Sequence, residues 1–350
     1  MKLIFFIISK LYAFLLLIWS SLYKFKLLKT HNFSTPIISI GNIEIGGTGK
    51  TPTTIFLSQL LSKQNITHII VSRGYKKHIK GTLIISDYNK LLLNDPYDCS
   101  DEAFLLASKL LKVPVIVSEQ KEKAIETGIK KFDPQIILLD DGFQSKKIHR
   151  NLDIVLLNQL TSVKQLCLFP KGKLRAPLND LNNADLIILS KSNLNQNTQL
   201  ESLIQSYKIP YMLSNIESSI YRYNATSNTL QKIKNPIDYP VIAISGIGDQ
   251  QSFELLTKEY CNNIESFIHY PDHFNYKINY LQFIQDIEKY KQLNINTIIT
   301  TYKDFVKIKS LNNNFNHRLM NNEFTICVID IKITINQKLN QINKLINKLI

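Results

Sequence analysis

Between Gly41 and Thr53 the chain reads GNIEIGGTGKTPT, and Gly46, Gly47, Thr48, Gly49, Lys50 and Thr51 have the make-up of a phosphate-binding loop. The chemistry follows from the residue types. Glycines let backbone N–H groups approach phosphate oxygens, a lysine reaches the β/γ end, and a hydroxyl after it ligates Mg²⁺. The loop is atypical, because Glu44 stands where the common pattern has its first glycine. Pro52 sits just inside the helix start, where a missing N–H costs little. Asp140 and Asp141 end the apolar run QIILL and precede Gly142, Phe143 and Gln144. A carboxylate at the end of a strand beside a phosphate loop is where NTPases of this kind hold Mg²⁺, although an Asp-Gly turn alone is common. A second acidic pair, Asp101 and Glu102, opens the helical stretch SDEAFLLASKLL, where capping and the helix dipole explain it as well as catalysis does.

These residues need a scaffold, and the hydropathy pattern supplies one. The runs IISI before Gly41, HIIVS (68–72), VPVIV (113–117), QIILLD (135–140), DIVLL (153–157) and DLIILS (185–190) are apolar throughout, and helical patterns separate several of them. Such runs predict a doubly wound parallel sheet of the P-loop NTPase kind, α/β in class, with ligands at the carboxyl ends of the strands. The pattern decays into polar, Asn- and Ser-rich sequence over 216–236 and then resumes with YPVIAIS, ESFIHY, NTIITT and FTICVID. The expected organisation is an N-terminal membrane-associated helix (1–30), an ATP-binding domain (31–215), a linker (216–236) and a smaller α/β domain (237–350) contributing to the cleft. From Asn336 onward, Leu339, Ile342, Leu345, Ile346 and Leu349 fall at helical spacing and predict an amphipathic helix that packs onto the body.

The segment 3–28 is apolar and aromatic, is divided by Lys10, and ends in Lys24, Lys26 and Lys29. It is membrane-seeking, and spanning and interfacial placements compete. No small-residue cleavage site follows it, and the basic flank keeps the following domain on the cytoplasmic side. The formal net charge of +14 favours an anionic partner, discounted because Lys, Asn and Ile are abundant everywhere in the chain. No basic stripe interleaved with exposed aromatics appears, so nucleic acid is not the expected partner. Cys99, Cys167, Cys261 and Cys327 stand far apart with no C-x-x-C pair, which argues against a zinc site or a disulfide framework.

Taken in order, GGTGKTP, VSRGYKK (71–77), SDEA (100–103), LLDDGFQ (138–144), FPKGKLRAPL (169–178), SGIGD (245–249), YPDHFNY (270–276) and TTYKD (300–304) resemble the tetraacyldisaccharide 4'-kinase family over nearly the whole chain. The resemblance implies transfer of the ATP γ-phosphoryl group to an acylated disaccharide 1-phosphate in lipid A biosynthesis, at the cytoplasmic face of the inner membrane. It implies Lys50 and Thr51 for phosphates and Mg²⁺, Asp140 and Asp141 for the metal, and Asp101 with His273 as the base dyad. It further implies Glu102 near the metal or nucleotide, Arg175 neutralising phosphate charge, and Arg73 and Gln144 lining the site. Departures from the family pattern are Ser145 after DDGFQ, Tyr302 before Lys303-Asp304, and Ala176 between Arg175 and Pro177. A membrane-associated switch ATPase of the MinD and ParA kind is the alternative. Those loops carry lysine just before the glycine pair, where this chain has Ile45.

Overall fold

The apolar runs become strands. In the computed structural model, which describes residues 2–74, 77–93, 95–311, 313–321, 323–335 and 339–350, the chain divides into two units. The first comprises 1–94, 98–216 and 333–350, and the second 95–97 and 217–332.

The first unit begins with α1 (Lys2–Lys24), followed by β1 (Ile37–Asn42), α2 (Lys50–Lys63), β2 (His68–Ser72) and β3 (Leu83–Ser86). After the short α3 (Pro96–Cys99) come α4 (Asp101–Lys109), β4 (Val115–Val117), α5 (Lys121–Phe132), β5 (Ile136–Asp140), β6 (Leu152–Asn158), β7 (Leu186–Ser190) and α6 (Thr198–Ser206). The strand order is β7-β6-β1-β5-β2-β4-β3, parallel except for β3, which runs antiparallel to β4. Every residue of β1 and β5 is buried because each strand feeds two cores. Ile38, Ile40, Ile136 and Leu138 enter the core under α2 and α4, while Ile37, Ile137 and Leu139 enter the one under α5. This is the doubly wound sheet that continuous apolar strands require.

The expected linker is instead structured. Residues 216–236 hold the second half of β8 (Tyr211–Asn224) and β9 (Thr229–Lys232), which pair antiparallel from Tyr221↔Lys232 to Asn224↔Thr229. Alternating burial along β8, with Met212, Ser214, Ile216 and Ile220 inside, explains how a polar sequence forms a strand. The second unit continues with β10 (Val241–Ser245), α7 (Gln250–Tyr260), β11 (Ile264–His269), α8 (Tyr280–Lys291), β12 (Thr297–Thr301), α9 (Tyr302–Lys309), α10 (Asn313–Met320) and β13 (Thr325–Thr334). Its parallel order is β11-β10-β12-β13 over an aromatic core that includes Tyr276, Phe283 and Phe315. The last helix, α11 (Leu339–Asn347), belongs to the first unit and not to the smaller domain, because Ile342 and Ile346 complete the first unit's core. Residues 336–338, at the expected start of that helix, lie outside the described residues, as do Tyr75 and Lys76 of the VSRGYKK stretch.

Candidate active site

In the first unit, β1 delivers the chain to the phosphate loop and α2 leaves it. Gly46 and Gly49 both have positive φ (109° and 89°), the left-handed region that glycine enters without strain. Gly49 is the residue before the first helical turn, and its carbonyl accepts from both the N–H and the hydroxyl of Thr53 (3.0 and 2.8 Å). At Gly41 a Cβ would meet Phe143 Cβ at 2.4 Å, so glycine there lets the end of β1 pass directly under the loop that follows β5.

The loop is held from beneath. Asn42 Nδ2 donates to the Glu44 carbonyl and to Thr48 Oγ1, both at 2.8 Å. Ser190 Oγ donates to the Thr48 carbonyl (2.8 Å) and Lys191 Nζ to the Gly47 carbonyl (2.7 Å). Glu44 is only 2% exposed, and its carboxylate accepts from the Asn158 N–H (2.8 Å) and the Thr161 hydroxyl (2.6 Å). Burial raises its pKa. The residue that makes the loop atypical therefore braces it from below and takes no place in the phosphate cradle.

Lys50, Arg175 and Lys121 meet two carboxylates, Asp140 and Asp141, at the head of α2. Arg175 forms a two-pronged ion pair with Asp141, one prong at 3.2 Å, and also donates to the Asn42 side chain. The GKLRAP segment is clipped there by two backbone bonds, Ile45 N–H to the Lys173 carbonyl (2.7 Å) and Arg175 N–H to the Ile43 carbonyl (2.8 Å). Lys50 Nζ lies 3.7 Å from Asp141 Oδ1. Burial alone would raise Asp141, but Lys50 and Arg175 outweigh it and hold the carboxyl far below the usual range. Asp140 behaves oppositely. Its burial, then the negative charges of Glu102 and Asp141, push it up to about 6, against Lys50 and Lys121. Its two oxygens accept from Thr54 (3.2 Å) and Ser72 (3.3 Å).

Lys121, at the head of α5, was not among the residues read from sequence. Its Nζ donates to the carbonyls of Asp140 (3.0 Å) and Asp141 (2.6 Å) and to Ser145 Oγ (3.3 Å). Burial pulls it down to about 8, with Asp141 and Asp140 holding it up and Arg73 and Arg175 opposing. The signal available was its place just past an apolar strand, the ligand end of a parallel sheet. Ser145, one of the departures, is thus an acceptor for this lysine. Gln144 Nε2 donates to the Asn42 carbonyl, and Arg73 is exposed.

Asp101 is 8% exposed in the first turn of α4, where its Oδ1 accepts from the Glu102 N–H (2.9 Å) and Ser100 Oγ caps Ala103 N–H. Both the capping role and proximity of Glu102 to the Asp140 field are therefore present. His273 belongs to the second unit, with φ of 59°. Its N–H donates to Asp272 Oδ1 (3.0 Å), and Nε2 lies 3.7 Å from Asp272 Oδ2. Asp272 also faces Lys303 Nζ at 3.6 Å. Nearby, buried Asp304 accepts from the Gly246 N–H (2.9 Å) and the Thr301 hydroxyl (2.8 Å) and pairs with Lys307 (2.9 Å). The SGIGD, YPDHFNY and TTYKD stretches thus converge at the carboxyl ends of β10, β11 and β12. Of the other departures, Tyr302 meets the Phe305 ring edge-on (6.0 Å) and Ala176 is buried in a first-unit core.

The family model of tetraacyldisaccharide-1-P 4'-kinase matches residues 1–349. The tetraacyldisaccharide 4'-kinase of Halothermothrix orenii is 32% identical over 87% of this chain and 83% of its own length. That of Rickettsia typhi is 31% identical over 93% and 91%. A crystal structure of LpxK from Aquifex aeolicus in complex with ATP superposes with a TM-score of 0.72 at 27% identity, covering 98% of this chain and 97% of that one.

Proposed function

Because the chain belongs to the tetraacyldisaccharide-1-P 4'-kinase family, we infer that it transfers the γ-phosphoryl group of ATP to the 4'-hydroxyl of a tetraacylated disaccharide 1-phosphate, the lipid A biosynthetic reaction. The observation that carries the reading is the cluster of Lys50, Arg175 and Asp141 at the head of α2, beside two loop glycines with positive φ. Phosphoryl transfer is chiefly positioning and charge neutralisation, and this cluster is built for both.

In the mechanism, the loop amides and Lys50 bind the β/γ phosphates. Arg175 is oriented by Asp141 and Asn42, so its remaining charge is aimed before substrate arrives. Mg²⁺ fits the donor set, because Thr51 would supply a hydroxyl and Asp140 and Asp141 hard oxygens, and this ion is usually held by one or two carboxylates beside phosphates. When bound, it neutralises charge on the transferred group. Glu102 adds negative charge at the same place. Asp101 accepts the proton of the 4'-hydroxyl as its oxygen bonds to the γ phosphorus and the bond to ADP breaks, with His273 as the second member of the dyad. Arg73 and Gln144 line the site.

The acceptor is a lipid, and α1 supports attachment to the cytoplasmic face of the inner membrane. Leu3, Ile4, Ile7 and Leu11 are each more than half exposed, and the helix is long and apolar enough to cross a bilayer. Its other face holds the first unit. Ser9 Oγ donates to the Leu168 carbonyl (2.9 Å), Tyr12 Oη to the Arg175 carbonyl (2.8 Å), and Lys146 Nζ to Ser20 Oγ (2.5 Å). Ser9 to Ser20 is about 16 Å of helix at the usual rise. Side-on contact over that length favours a helix lying in the interface over one crossing the bilayer, which needs about 30 Å of lipid-facing surface all round.

Incubation with γ-labelled ATP and the acylated disaccharide 1-phosphate tests the reaction. Label is expected in the lipid fraction. Hydrolysis of ATP without lipid phosphorylation would instead indicate a switch ATPase.

A further inference from the structure

Two consecutive residues at the end of β7 grip two consecutive carbonyls of the phosphate loop, Ser190 on Thr48 and Lys191 on Gly47. Lys191 is unusual on three counts. It is 4% exposed, it has positive φ (66°), and it lies on the far side of β1 from Asp140 and Asp141. A non-glycine residue in the left-handed region costs free energy and persists only where the surroundings dictate it. Here the Lys191 carbonyl accepts from Leu194 and Asn195 N–H (3.0 and 3.3 Å), and Ser192 N–H donates to the Ser214 carbonyl (3.0 Å), so the turn is tied down on both sides. Its side chain lies in the fields of the Glu44 carboxylate and the Lys173 ammonium, and Glu44 is itself fixed by Asn158 and Thr161. Lys191 thus ties the turn after β7 to a main-chain carbonyl of the nucleotide loop, within the field of the Glu44 carboxylate.

We propose that Lys191 is a positioning residue for ATP, holding the Gly47 carbonyl on the sheet side so that the following amides face the nucleotide phosphates. The geometry explains why a donor stands there. A peptide's C=O and N–H point in opposite directions, so drawing the Gly47 and Thr48 carbonyls toward the sheet turns the Thr48 and Gly49 N–H groups away from it. Thr48 N–H then bonds its near neighbour, the Gly46 carbonyl (3.1 Å), in a tight turn that a phosphate oxygen replaces at little cost. Burial pulls Lys191 down to about 7 while Glu44 holds it up, so an anion arriving above the loop favours its charged form. The proposal rests on reading 46–51 as the ATP loop.

The test is steady-state kinetics on full-length Lys191→Met, Lys191→Gln and Lys191→Arg beside Lys50→Ala, with melting temperatures recorded. Loss of one buried hydrogen bond predicts KM for ATP raised about 10-fold in Lys191→Met, with kcat within about 3-fold, and most of the affinity recovered in Lys191→Arg. A folded Lys191→Met with unchanged KM for ATP overturns the proposal, as does an equal loss of kcat without a KM effect. Should Lys191→Met fail to fold, Lys191→Gln decides by the same KM criterion. If Lys50→Ala also leaves kinetics untouched, the loop reading itself fails; if Lys50→Ala is impaired while the Lys191 variants are not, only the Lys191 proposal falls.

Discussion

Asp140 and Asp141 follow one another at the end of β5, yet their neighbours push them apart. Asp140, enclosed and next to two negative charges, is held at about 6, while the cations around Asp141 keep it ionised throughout the working range. Arg175 is central to that division. Arg175→Ala is expected to lower kcat by about 10²-fold or more, since an arginine that neutralises a transferring phosphoryl group contributes at least that much. Arg175→Lys is expected to restore little, because a single ammonium does not reproduce a two-pronged pairing with a carboxylate. Steady-state phosphorylation of the lipid measures both, and full activity in Arg175→Lys would show that geometry is unimportant. The proposed dyad is tested the same way. Asp101→Ala and His273→Ala should each lose about 10²-fold in single-turnover rate, the usual scale of general base catalysis, and the double variant should be scarcely worse than either. Strictly multiplicative losses would mean that the two side chains act separately.

Elements place these side chains, and one contact between elements has a pH signature. Ser58 on α2 bonds His68 Nε2 on β2 at 2.7 Å, and His68 Nδ1 lies 3.0 Å from the Ile66 carbonyl. With Nδ1–H donating to that carbonyl, the neutral ring accepts from Ser58 and is fully satisfied. Burial lowers the pKa of His68 below 6.5. Between the folded and unfolded values the unfolded chain binds more protons, so stability is constant above about pH 6.5 and falls as pH drops through the folded value. Urea titrations from pH 5 to 8 should show that slope, and His68→Gln should flatten it; an unchanged slope would assign it elsewhere. Much of this architecture was legible in the residues, because β1, β2, β4, β5, β6 and β7 are buried on both faces and so read as unbroken apolar runs. β8 was not, since half its residues face outward and its Asn and Ser mimic a linker. Lys191 and Lys121 were hidden for another reason. In so lysine-rich a chain a place just past an apolar strand is a weak signal, and the burial that distinguishes them is a tertiary property. Nor does helical spacing in α11 say which unit it completes.

At the scale of the whole molecule, the proposed attachment to an anionic lipid surface draws on a charge of +14 and on the exposed apolar face of α1. Cations accompany α1: Lys171 Nζ lies 5.1 Å from the centre of the Phe6 ring, and Lys146 Nζ 5.1 Å from that of Trp19. If the helix lies in the interface, its two faces have separable roles. Ile7→Asp with Leu11→Asp on the exposed face should reduce co-sedimentation with vesicles containing anionic lipid by about 10-fold or more, since each apolar side chain buried contributes about 1.5–3 kcal/mol. Tyr12→Phe on the docked face should leave partitioning unchanged while removing the bond that fixes the Arg175 carbonyl, so its effect belongs in kcat. Raising salt should weaken what binding remains, because the cationic contribution is screened within about 10 Å at 0.1 M. Placement itself is read by Lys2→Cys labelled with a membrane-impermeant thiol reagent applied to intact cells. An in-plane helix keeps residue 2 on the cytoplasmic side and unlabelled. Labelling from outside would mean that the helix crosses, and the contacts of Ser9, Tyr12 and Ser20 with the first unit would then have to break in the membrane.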